Sequence, residues 1–79
     1  MTNTEATIIL MDTVDGKGWE WCNSIAASEH KDEGNLLYCT IINQKNEAVS
    51  YLFNANDKAF YHGHYFNNTT EAMRYTEER

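Results

Sequence analysis

Proline is absent from the 79 residues and glycine occurs only four times. The chain therefore offers no linker, no low-complexity tract and no glycine loop of the kind that cradles a phosphate. Long apolar runs are missing as well. The longest, Ile8-Ile9-Leu10-Met11, falls far short of the roughly 18 apolar residues that a membrane-crossing helix requires. The opening Met-Thr-Asn-Thr-Glu-Ala lacks the positive charge and apolar stretch of a secretory signal, which predicts a cytoplasmic protein with no membrane partner.

Basic residues are scarce too. Six Lys and Arg stand against twelve Asp and Glu, for a formal charge of −6 and a pI near 4.8. Lys17, Lys31, Lys45, Lys58, Arg74 and Arg79 are scattered singly along the chain. Phosphate neutralisation needs clustered cations, so the pattern argues against direct nucleic-acid binding. It permits a partner with a basic surface, although an acid excess also serves plain solubility. Cysteine is limited to Cys22 and Cys39, with no Cys-x-x-Cys. Both lie in apolar stretches and read as small buried hydrophobes rather than as a disulfide.

What the chain does have is aromatic side chains, 13% of its residues. With the Ile and Leu runs around them, they exclude disorder. A chain of this length makes one domain, residues 1–79, and buries only roughly 60 to 65% of its unfolded surface, which leaves little room for an internal active site.

Apolar periodicity places the elements. Residues 5–14 put Ile8, Leu10 and Val14 on one face and Ile9 and Met11 on the other, which predicts a central strand. Asp15-Gly16 then predicts a hairpin turn. The return strand starts at Trp19, with Trp19, Trp21, Ile25 and Ala27 on one side. Trp19, Cys22, Ile25, Ala26 and Glu29 also match helical spacing, so strand and short helix both stay open over residues 23–31. A charged loop over residues 29–34 leads to strands over 36–43, 48–54 and 59–66. Between them lie turns at 44–47, where Asn46 suits a positive φ, and at 54–57. Asn68 with Glu71 has capping-box spacing and predicts a helix over residues 69–78. The expected architecture is α+β: an antiparallel meander of four to five strands with one short C-terminal helix packed on the sheet.

Chemistry-bearing patterns are few. His62-Gly63-His64 on a strand would aim both imidazoles to one side, with Cys39 or Asp12 as conceivable further metal ligands. Two histidines do not close a tetrahedral site, and no metal or other cofactor is expected. A catalytic set would have to be assembled from Cys39, His62 and Asp12 without any motif to join them, so no enzyme is expected. Acids gather instead: Glu29, Asp32 and Glu33 in one loop, Asp12, Asp15 and Glu20 near the first turn, and Glu71, Glu77 and Glu78 on the last helix.

These features predict a non-enzymatic binding protein that inhibits or regulates a partner by occupying a basic surface, of the kind that holds nucleic acid. Glu29, Asp32 and Glu33 would supply electrostatic docking, and Tyr61 and Tyr65 would be apolar anchors on one strand face. In size and composition the chain resembles the small inhibitors with which phages and mobile elements block host machinery, such as anti-restriction and anti-CRISPR proteins. That resemblance implies a viral protein acting in the host cytoplasm; it covers no stretch of residues and carries no site. Two other readings stand beside it: a small metal-binding protein using His62 and His64, and a homodimer paired through the open edges of the meander.

Overall fold

The first apolar segment is a helix, not a strand. In the computed structural model, which describes residues 1–27 and 34–79, α1 (Asn3–Gly16) opens the chain. Thr2 caps it: the Thr2 hydroxyl accepts the Glu5 N–H at 3.1 Å, and the Glu5 carboxylate accepts the Thr2 N–H at 2.9 Å. This reciprocal pair satisfies two backbone donors that a helix start would leave open. Hydrogen bonding to its carboxylate, from the Thr2 backbone N–H first and the Thr2 side chain second, holds the Glu5 carboxyl below its ordinary value.

Asp15 and Gly16 close the helix instead of forming a hairpin. Gly18, at φ 74°, donates its N–H to the Asp15 carbonyl at 3.0 Å, and the Trp19 N–H reaches the Val14 carbonyl at 3.0 Å. The two bonds form a Schellman motif, with glycine at the position that needs a left-handed backbone. Ala6, Leu10 and Val14 make the buried stripe.

Four strands follow: β1 (Glu20–Ala26), β2 (Leu36–Ile42), β3 (Ala48–Asn54) and β4 (Ala59–Phe66), and α2 (Thr69–Glu77) ends the chain. The strands form one antiparallel sheet in the order β1-β2-β3-β4. The predicted meander and C-terminal helix are thus present, and residues 20–26 resolve to strand. Asn46 takes φ 63° in the β2–β3 turn, where the Asn43 side chain accepts the N–H groups of Lys45 and Glu47. Asn68 caps α2 by accepting the Glu71 N–H at 2.8 Å.

Strand alternation gives the sheet two covered faces. Leu37, Cys39, Ile41, Val49 and Phe53 pack with Ala6, Leu10 and Val14 of α1. The intervening residues Thr40 and Ser50 meet Thr76 of α2 on the other side. α1 lies over β1 and β2, whereas α2 spans all four strands. Beyond the reach of α1, Trp19, Tyr51 and Phe60 roof the first face. Trp19 and Tyr51 are parallel with ring centroids 6.1 Å apart, and Phe60 tilts against both at 5.2 Å.

Both edge strands are irregular. The β1–β2 register shifts between Trp21 and Asn23, and the β3–β4 register shifts between Ser50 and Leu52. At the second shift His62 adopts φ 55°, and His62 with Gly63 stand where Tyr51 alone faces them, a β-bulge. A Cβ on Gly63 would sit 2.6 Å from the Tyr51 ring. Glycine is required because that ring lies directly on the β4 backbone.

A candidate binding face on α1 and the start of β1

Helix α1 is apolar on more than its buried stripe. Ile8 and Met11 point away from the sheet and are 58% and 44% exposed. Trp21, 39% exposed, continues the patch from the neighbouring edge strand. It pairs with Ile41, which places it on the face of the sheet that α1 covers. Large apolar groups left in water at adjoining positions are the usual mark of an interaction surface.

A groove of about 510 Å³ runs between α1 and β1, lined by Met11, Asp12, Val14, Asp15, Trp19, Glu20 and Trp21. Its charged lining is entirely carboxylate. Among the described residues, no lysine or arginine pairs with Asp12, Asp15 or Glu20. The last turn of α1 contains no basic residue, so the negative end of the helix dipole adds to the same field. The nearby Lys17 ammonium sits 5.2 Å over the Trp19 ring, where the indole face holds it. The arrangement therefore offers apolar contact surface, an indole and negative potential in one place.

The side chains predicted to dock a partner are distributed otherwise. Glu29, Asp32 and Glu33 lie outside the described residues. Tyr61 and Tyr65 are both exposed, yet they do not share a face as predicted. Tyr61 pairs with Leu52 and Tyr65 with Val49, and the extra residue in the bulge sends the two rings to opposite sides of the sheet. The Tyr61 hydroxyl donates to the Asp57 carboxylate at 3.1 Å, a bond that raises its pKa. Tyr65 stands beside Tyr51, whose hydroxyl is pushed up to about 12 by burial first and by Tyr65 second.

The histidine pair is separated from its supposed co-ligands. His64 packs its ring 4.9 Å from Tyr75 on the α2 side, while Cys39 is buried in the core on the α1 side. Burial pushes the Cys39 thiol up to about 12, and partial burial with Glu20 nearby raises Cys22. Neither cysteine has the lowered pKa of a reactive thiolate. Asp12 belongs to the α1 groove. Among the described residues no group of three or more His, Cys, Asp or Glu is placed to hold a metal ion, and no helix is long and apolar enough to cross a membrane.

Ile8, Met11 and Trp21 are not among the residues that the sequence predicts to dock a partner. The available signal was the Thr2-x-x-Glu5 spacing: once it marks a helix start, Ile8 and Met11 fall outside the Ala6, Leu10, Val14 stripe. No family model matches the chain, and neither a curated protein nor a solved structure matches it.

Proposed function

We propose that this is a non-enzymatic binding protein that inhibits or regulates a partner protein by covering a basic surface on it. The observation that carries the reading is the coincidence of Ile8, Met11 and Trp21 with the Asp12 and Asp15 carboxylates around one groove, whose lining Glu20 completes from the start of β1. Aromatic and Met side chains are enriched at the cores of protein interfaces. Carboxylates at the rim select against acidic partners and steer basic ones, helped by a net charge of −6. A basic protein surface is commonly one that holds nucleic-acid phosphates. An acidic occupant would compete with that nucleic acid, which is how an anti-restriction or anti-CRISPR type of inhibitor in the cytoplasm would act.

The test is comparative capture from host lysate, nuclease-treated and washed at low and then high salt. The baits are the wild-type chain, a variant with Asp12, Asp15 and Glu20 changed to Lys, one with Glu29, Asp32 and Glu33 changed to Lys, and one with Glu71, Glu77 and Glu78 changed to Lys. The expected outcome is a partner released by salt, lost from the first variant and kept by the last. Equal capture by all four, or a partner indifferent to salt, would overturn the reading.

A further inference from the structure

We infer that the groove between α1 and β1 is a receptor for an arginine side chain of the partner, an inference that rests on the binding role proposed above and names its recognition chemistry. The groove presents three things at once. Trp21 supplies a partly exposed indole. Asp12 and Asp15 supply carboxylates that no described lysine or arginine pairs with. The C-terminal end of α1, whose last turn carries no basic residue and whose cap residue Lys17 is drawn over the Trp19 ring, adds its negative dipole. An ammonium would gain from the charge alone and would stay strongly hydrated. A guanidinium is planar and weakly hydrated: it stacks on an indole and gives parallel N–H bonds to a carboxylate at the same time. Its methylene stem would lie along Met11, in the manner of long cationic side chains on apolar surface.

Ile8 extends the patch one turn toward the helix start and is the most exposed aliphatic residue there. It has no charged role in the groove, so it fits an apolar residue of the partner beside the arginine. The occupant is therefore a protein segment carrying arginine next to aliphatic side chains. A phosphate-bearing ligand is disfavoured, because the groove would repel it.

Two-dimensional NMR on the full chain tests this with short capped amphipathic peptides of leucine and arginine, and with versions in which lysine or glutamine replaces arginine. The arginine peptide is expected to shift the Trp21 indole N–H and the Met11 methyl and to bind about fivefold or more tightly than the lysine peptide. Asp12→Asn and Asp15→Asn should each weaken it about fivefold to tenfold, with Tm held as the control for folding. Trp21→Leu should keep an apolar side chain there while removing the indole face, and bring the arginine peptide down to the affinity of the lysine one. If arginine and lysine peptides bind this groove equally, the arginine inference fails while the basic-partner reading stands. If the glutamine peptide binds as well as either, or no peptide shifts these signals, both fail. Shifts that depend on protein concentration alone would assign the face to a second copy and overturn the inference.

Discussion

Thr76 is the residue on which the seating of α2 depends. Its hydroxyl lies 2.6 Å from both the Thr40 and the Ser50 hydroxyls, and Thr40 reaches the Ala72 carbonyl at 3.2 Å. All three side chains are buried. Each hydroxyl has one proton to give, and only the Ala72 carbonyl is a pure acceptor, so the direction is fixed: Ser50 donates to Thr76, Thr76 to Thr40, and Thr40 to Ala72. Removing the middle member breaks two links. Thr76→Val should cost about 1 to 3 kcal/mol, because it strands the Ser50 proton away from water. Ser50→Ala removes only the end donor and leaves every remaining proton placed, so it should cost about 0.5 to 1.5 kcal/mol. Urea melts of the two variants check the order, and a larger loss from Ser50→Ala would refute the assigned direction. Cys39, on the opposite face, makes a different contribution: it fills core space as a neutral thiol, as its raised pKa requires.

At the scale of elements, α1 shows why part of the fold was legible in the sequence and part was not. β2, β3, β4 and α2 stood out because each is bounded by its own turn or cap residues, such as Asn46 and Asn68, and those residues act locally. Residues 8–11 are apolar without a break, and a run that is apolar on every side has no period to read. Strand alternation and helical spacing fit it equally, and the caps at Thr2 and Gly18 decide for helix. The bulge in β4 was hidden for another reason. It depends on Tyr51 lying over Gly63, a contact between strands that no pattern within residues 59–66 encodes. The expected shared face of Tyr61 and Tyr65 is broken there, and the exposed face of α1 is not legible while residues 5–14 read as a strand. A pair of substitutions measures the division of α1 into its two faces. Leu10→Ala, in the core, should cost about 2 to 5 kcal/mol, and Ile8→Gln should stay within about 0.5 kcal/mol of wild type. A large loss at Ile8 by thermal melting would mean that its side chain is structural and the exposed stripe is not free for a partner.

Charge operates at the scale of the whole molecule, whose extents are 33 × 27 × 17 Å. At ~0.01 M salt the screening length is about 30 Å, so every carboxylate feels every other; at ~0.15 M it is about 8 Å and only neighbours interact. A chain of charge −6 should therefore gain Tm as salt is added. The bulges in β1 and β4 work in the same direction as this repulsion, since an irregular edge resists regular pairing with another strand. Position matters beyond the total, however. Glu71 lies in the first turn of α2, where a negative charge is favourable, whereas Asp15 lies in the last turn of α1, where it opposes the dipole. Asp15→Lys and Glu71→Lys change the net charge equally. Even so, at low salt the first should stabilise the fold by about 0.3 to 1 kcal/mol and the second should destabilise it by a similar amount. Calorimetry at pH 7 separates them, and equal shifts from both would mean that only total charge counts. If Asp15→Lys gives a more stable protein that binds less, the carboxylate at the end of α1 is held against the preference of its own helix. Such a trade of stability for recognition is expected at a functional surface and not at a merely soluble one.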